Sequence, residues 1–437
     1  MEGKTFTEKT EDAAKVPLLP KTSCDVFCFL GFAVTTYVFY TAILISSQDI
    51  LASTNIATTS IIMCFNTPYF AMTLILPYYI DKLSLMNKAV ASALFFGAGV
   101  LIITLIPTPA LRLLGVVVAS FGMGTAEIGF LSATSLHQDF TIHSFTCGTG
   151  LGATISTLYM SGMTTIACIK PSIALQILLV LLPIYPLLAW HLKRTSNLPN
   201  KELTTSKGTH VEFTPLTEQD SNSEVVDQHL TLKEKFSAVL ENLHLAVPLF
   251  IGEVSDFLIT NAVITTIAFE NSPFDPRDHF LYYQLTFWAA EFIGRSYGLV
   301  ILWFKPSCTV VTNKTWIFSA IITANLLLLT CASWYRFLPN FYVAATLVAI
   351  TGATQGALYL NTFAVAGKDK RPRHREFSQA FLTSALVGGV VAAALMGFYI
   401  EPKLKEHCMQ ILAPHDTLCF TRLTHGQWNT TLSCIAR

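Results

Sequence analysis

The chain has 437 residues, of which 52% are hydrophobic, 12% aromatic and 13% charged, and its mean hydropathy is +0.51. Soluble domains use roughly 25% charged residues, so the composition excludes an ordinary soluble domain and points to a polytopic membrane protein. Lys plus Arg and Asp plus Glu balance at 28 each; no basic excess suggests nucleic acid, and the charges lie mostly between the apolar runs.

Residues 1–24 mix acids and lysines without an apolar core, which excludes a cleaved signal peptide beginning at Met1 and makes them a cytosolic N-terminal tail. A bilayer core about 30 Å thick needs about 20 apolar residues per helix, and that rule predicts about eleven spans. They start near residues 25, 58, 88, 111, 145, 172, 243, 280, 315, 341 and 377. Six fall within residues 25–192. Residues 193–242 are polar without a sustained apolar period and read as a disordered cytosolic loop. A second bundle follows over 243–400, then a tail over 401–437. The expected fold is an all-α membrane protein of two helix bundles, with a solute held between them near the midplane.

Orientation follows the basic loops: Gly367 to Arg375 and His191 to Arg194 are expected in the cytosol, which puts the N-terminus there too. With eleven spans the tail is lumenal. Asn429 then becomes a glycosylation candidate, and Asn313 faces the other side.

Of ten cysteines, Cys28, Cys64, Cys147, Cys168 and Cys331 lie in apolar runs and read as small hydrophobes. His407, Cys408, His415, Cys419, His425 and Cys434 crowd the tail without zinc-site pairing, so neither a metal nor a cofactor is expected.

Within the spans the stretch Phe121 to Gly152 is the organising one, because it sets Glu127 in an apolar helix. An acid at a helix centre costs about 3 kcal/mol on insertion scales, so it faces a packed interior or a solute path. Ser120, Gly124 and Thr134 share its face. Gly148, Gly152, Gly352 and Gly356 have helix-packing spacing. Gly148 to Gly152 is no phosphate loop, since no strand precedes it. Pro183 and Pro186 are expected to kink span six, and Pro248 to sit near the start of span seven.

Span seven carries Glu253, Asp256 and Thr260 on one face, and span eight carries Gln284, Trp288, Glu291 and Arg295 as one stripe. Glu291 and Arg295 are spaced to pair. Arg295, always charged and fork-shaped, is the candidate anchor for an anion or carboxylate, with a gate or inter-bundle salt bridge as the alternative. Tyr282, Tyr283 and Trp288 read as packing or interfacial residues. On span ten, Gln355, Tyr359 and Thr362 form a further stripe, with Asn361 beside it. Closing these stripes around one cavity would give a solute path with proton coupling.

These residues resemble the battenin family, membrane proteins of lysosomes and vacuoles whose loss in humans causes juvenile neuronal ceroid lipofuscinosis. The matching blocks are Ser47 to Leu51; Gly122 to Gly152 with Phe130-Leu131-Ser132; Val247 to Thr260; Tyr283-Gln284 through Arg295-Ser296; and Tyr359 to Phe363 with His374 to Phe377. The resemblance implies a fold similar to the major facilitator superfamily. It also implies lysosomal residence and roles in lysosomal pH, basic amino acid balance and glycerophosphodiester clearance. Asp256 stands where the family has glutamate, Thr351 where an acid is expected, and the segment after Leu51 is short. Cys434 to Arg437 replaces a prenylation box with a sequence whose final arginine suits it poorly. Pro17-Leu18-Leu19 resembles an N-terminal sorting signal for cytosolic adaptors.

The expected function is a transporter in the lipid bilayer moving a small polar solute, with protons as a coupling partner. An equilibrative nucleoside-type carrier is one alternative, and a non-transporting scaffold regulating trafficking or acidification is another. No protease or hydrolase motif is present, so an enzyme is not expected.

Overall fold

The computed structural model describes residues 23–51, 54, 56–76, 83–134, 139–196, 232–273, 276–304, 311–367, 372–412, 418, 419 and 421. Among them no strand forms. The helices in the first half are α1 (Ser23–Ile45), α2 (Ser47–Ile50), α3 (Thr59–Ile75), α4 (Leu85–Leu105), α5 (Pro109–Thr134), α6 (Asp139–Ser161), α7 (Pro171–Ile177) and α8 (Ile184–Ser196). The second half holds α9 (Leu232–Leu258), α10 (Pro276–Phe304), α11 (Thr315–Tyr335), α12 (Phe341–Ala366) and α13 (Pro372–Leu412).

Local chemistry sets these boundaries. Pro109, Pro171, Pro276 and Pro372 open α5, α7, α10 and α13, where a missing N–H breaks no bond. Ser84 and Asn340 cap α4 and α12 by accepting from the amides of Asn87 at 3.2 Å and Val343 at 3.1 Å. α11 stops at Arg336, whose φ is 55°.

By length and composition, 8 helical stretches can cross a membrane. One of them joins α7 to α8 through a 3-10 turn at Leu178–Leu181, just before Pro183. The remaining crossings are α3, with 17 residues, and the more polar α6 and α10. Together they give the expected eleven. Leu94, Leu105, Val180, Ile293 and Phe304 are exposed on the outside, as suits a lipid-facing surface.

Several details differ from expectation. α9 begins at Leu232 rather than near 243, because its first turns are amphipathic instead of uniformly apolar, and Pro248 therefore lies well inside it. α13 continues beyond Ile400, through Glu401 and Pro402, to Leu412. Cys168 is disulfide-bonded rather than a small free hydrophobe, and it sits at the turn before α7 with φ 57°. Cys64, Cys147 and Cys331 are free thiols. Asn429, Cys434, His425, the Leu18-Leu19 pair and residues 197–231 lie outside the described residues.

The helices form two bundles. α1 packs on α6 and α3 on α5; in the second half α9 packs on α13 and α10 on α12. The halves meet along α6–α10 and α3–α13. A Cβ at Gly148 would stand 2.7 Å from the Leu30 carbonyl oxygen, and one at Gly152 2.5 Å from that of Val34, so α6 meets α1 at backbone distance. Gly352 and Gly356 bring α12 equally close to the Phe287 and Glu291 carbonyls of α10. Below, the loop face is the end of the bundle where α1 starts, and the tail face is the end where α13 finishes.

Candidate functional site

The site forms where helices of both halves converge on Glu127. This α5 carboxylate is fully buried. Its Oε1 accepts hydrogen bonds from the hydroxyls of Tyr37 on α1 and Tyr359 on α12, each at 3.2 Å. Tyr69 of α3 faces the same carboxyl group.

Arg295 is the cationic centre. Its Nη2 donates to Glu291 Oε1, one turn back on α10, at 2.5 Å, and its Nη1 donates to Thr149 Oγ1 of α6 at 2.6 Å. The guanidinium carbon also lies 4.0 Å from the centre of the Tyr359 ring and 5.5 Å from that of Tyr37. A guanidinium over a ring face is attracted by the ring quadrupole, and most strongly where water is excluded. Arg295 therefore touches both halves. Nearby, Thr154 of α6 donates to the Trp288 carbonyl of α10 at 2.9 Å.

α9 adds the remaining acids. Glu253 Oε1 accepts from Gln355 Nε2 of α12 at 2.6 Å. Asp256, one turn further on, is buried and interacts electrostatically with Glu253, Glu291 and Arg295. The site thus gathers Glu127, Glu253, Asp256 and Glu291 around one guanidinium. Among the described residues, Asp256 Oδ1, Glu127 Oε2, Glu291 Oε2 and Gln355 Oε1 are buried acceptors without a hydrogen-bond partner, and Arg295 Nε and the Tyr69 hydroxyl are buried donors without one. Such an arrangement has capacity for protons or for a ligand rich in N–H or O–H donors.

Two expected members point elsewhere. Just past Asp256, α9 opens into a π turn at Ile259–Val263 and a 3-10 turn at Ile264–Thr266. Gln284 Nε2 donates to the Thr260 carbonyl there at 2.9 Å, and Gln284 Oε1 accepts from Trp288 Nε1 at 3.1 Å. Gln284 therefore braces irregular backbone. Asn361 accepts from the Thr312 amide at 2.7 Å and donates to the Tyr297 hydroxyl at 2.6 Å, fastening the segment ahead of α11. Thr351, at the expected acid position, accepts from Asn325 at 3.2 Å.

Tyr37, Tyr69 and Thr149 are the participants that sequence reasoning missed. A signal existed for Tyr37: membrane tyrosines favour helix ends at the interface, and this one lies mid-helix in α1. Thr149 carried only its place in the Gly122 to Gly152 block, and Tyr69 carried none, because their relevance depends on helices distant in sequence. Among the described residues, no group of three or more His, Cys, Asp or Glu gathers as for a metal ion, and Cys408 is bonded to Cys419.

Comparison with known proteins agrees with this architecture. Residues 26–407 match the family described as CLN3 protein. Battenin of Canis lupus familiaris is 24% identical over 372 residues, covering 84% of this chain and 78% of that protein. Protein BTN1 of Eremothecium gossypii is 26% identical over 403 residues, covering 87% and 95%. Among solved structures, a bacterial homolog to the human lysosomal transporter Spinster, inward-facing and unoccupied, superposes with TM-score 0.56 at 13% identity, covering 90% of this chain and 85% of the other. The major facilitator superfamily transporter FucP in its outward conformation gives TM-score 0.56 at 16% identity, covering 93% and 99%. The fold is similar to that of these solved major facilitator-type structures. Over nearly all of its helical part, the chain belongs to the CLN3 protein family.

Proposed function

We propose that this protein is a carrier of the lysosomal or vacuolar membrane, not an enzyme, and moves a small polar solute of the glycerophosphodiester or basic amino acid class by alternating access. In so doing it supports lumenal pH and lysosome function. The observation that carries the reading is the contact of Arg295 with both halves: Thr149 of α6 on one side, Glu291 and the Tyr359 ring on the other. A charge bound across the seam of two rocking bundles must change partners when they move, and a solute or proton is what it would exchange for.

In this reading Arg295 anchors an anionic or carboxylate group, and Glu127, Glu253 and Asp256 pair with cations or take up protons. Gln355 and Tyr359 position them, while Gln284 and Asn361 keep the path's walls in place. The loop face is cytosolic and carries the N-terminal tail and the long loop, where sorting adaptors bind. The tail face is lumenal and carries the glycosylation candidate Asn429. Disulfides at Cys168 and at Cys408–Cys419, both on the tail face, support that orientation, since disulfides persist in oxidising compartments.

One observation favours the scaffold reading instead. Arg295 is already paired within its own helix by Glu291, as a purely structural ion pair would be. The experiment separating the two is metabolite profiling of rapidly purified lysosomes from cells lacking the protein, rescued with the natural chain or with Asp256→Asn at equal abundance. Accumulation of one solute class, cleared only by the natural chain, supports the carrier. Unchanged solutes with altered lumenal pH or sorting support the scaffold.

A further inference from the structure

The tail face holds a feature that transport chemistry does not use. Beyond α13, Cys419 is disulfide-bonded to Cys408, with Cα atoms 5.5 Å apart. Cys419 and Thr421 are buried. Arg336, at the end of α11, donates to the Cys408 sulfur and, at 3.5 Å, to the Leu418 carbonyl. The Thr421 amide donates to the carbonyl of Thr265 at 2.9 Å, and its hydroxyl donates to the same oxygen at 3.2 Å. All these anchors belong to the second half. The hydroxyl oxygen of Thr421, however, also accepts from Gln48 Nε2 of α2 at 3.0 Å, in the first half. A parallel link lies beside it, where the Thr58 amide ahead of α3 donates to Glu401 Oε1 of α13 at 3.3 Å.

We propose that Thr421, two residues past the disulfide-bonded Cys419, is a latch across the tail face: it must release Gln48 before the two halves can part on that side. The proposal rests on the alternating-access reading above. The disulfide matters because it ties Cys419 to α13, leaving Thr421 two residues from a rigid anchor. Without it, Thr421 would be held by its own hydrogen bonds and the long Arg336–Leu418 contact, and would lose much of the ordering that lets it bridge. The intact bond therefore biases the protein toward a conformation closed on the tail face. Thr421 is thereby a gating residue, and Gln48 its receptor.

The test is amide hydrogen exchange on the full chain reconstituted in lipid, comparing the natural sequence, Gln48→Ala, and the paired change Cys408→Ser with Cys419→Ser. Gln48→Ala keeps the disulfide and the fold of the second half, so it remains informative if the cysteine pair folds poorly. Losing one net hydrogen bond changes an opening equilibrium roughly fivefold. Both variants should raise exchange by about that factor at residues 47–51 and 259–267, while residues 142–146 at the loop face stay protected. Exchange rising only around residues 418–421, or rising equally at both faces, overturns the latch. Unchanged exchange with intact solute clearance removes the latch alone. Raised exchange on the tail face without any solute clearance keeps the latch and removes the carrier.

Discussion

The guanidinium of Arg295 lies 4.0 Å from the centre of the Tyr359 ring, and the hydroxyl of the same tyrosine donates to Glu127. One aromatic side chain thus joins the cation of α10 to the acid of α5. Because Thr149 and Tyr37 reach the same two groups from α6 and α1, neither can move independently of the seam between the halves.

Arg295→Met should leave Glu291 as a buried unpaired charge and cost about 3–5 kcal/mol, read as a lower thermal unfolding midpoint of the solubilised protein. Adding Glu291→Gln should recover most of that loss. The stabilised double variant should still fail to clear solute from isolated lysosomes. Natural clearance by the double variant would reduce Arg295 to a structural tie.

Glu127→Gln removes a charge and keeps an oxygen that accepts from Tyr37 and Tyr359, so stability should change by about 1 kcal/mol or less. Clearance should fall roughly tenfold or more, as expected when a charged hydrogen-bond partner becomes neutral. Full clearance at normal abundance would place Glu127 outside the mechanism.

Gly352→Val and Gly356→Val should each destabilise the fold by about 1–3 kcal/mol, since the added atoms strike the Phe287 and Glu291 carbonyls of α10. Gly162→Ala, where nothing lies within 4 Å of the new Cβ, serves as control. Unfolding midpoints measured side by side decide the matter, and equal midpoints would mean that α10 and α12 are not in backbone contact.

Asn361→Ala should orphan the Thr312 amide and cost about 1–3 kcal/mol, lowering abundance. Clearance per molecule should not change, because the Asn361 side chain braces the segment before α11. A changed apparent affinity for solute at matched abundance would return it to the solute path.

Much of the fold is written locally. Runs of about 20 apolar residues specify membrane helices whatever lies next to them, and the opening prolines of α5, α7, α10 and α13 mark where helices begin. Apolarity stops being the signal at two helix ends: α9 starts in amphipathic turns at Leu232, and α13 carries Glu401 and Pro402 without breaking.

Of the site, sequence alone determined the charged residues, because an ionisable group inside an apolar span is conspicuous without knowing its neighbours. The pairing of Glu291 with Arg295 was equally legible, four residues apart on one helix. Only the tertiary structure decided which stripes share a centre. Tyr359 meets Glu127 across 232 residues of sequence, and Gln48 meets Thr421 across 373. Helical periodicity gives the direction of a face but not its partner. That choice belongs to the packing of whole helices at their glycines, which turned Glu253 toward Gln355 and left Gln284 and Asn361 bracing backbone.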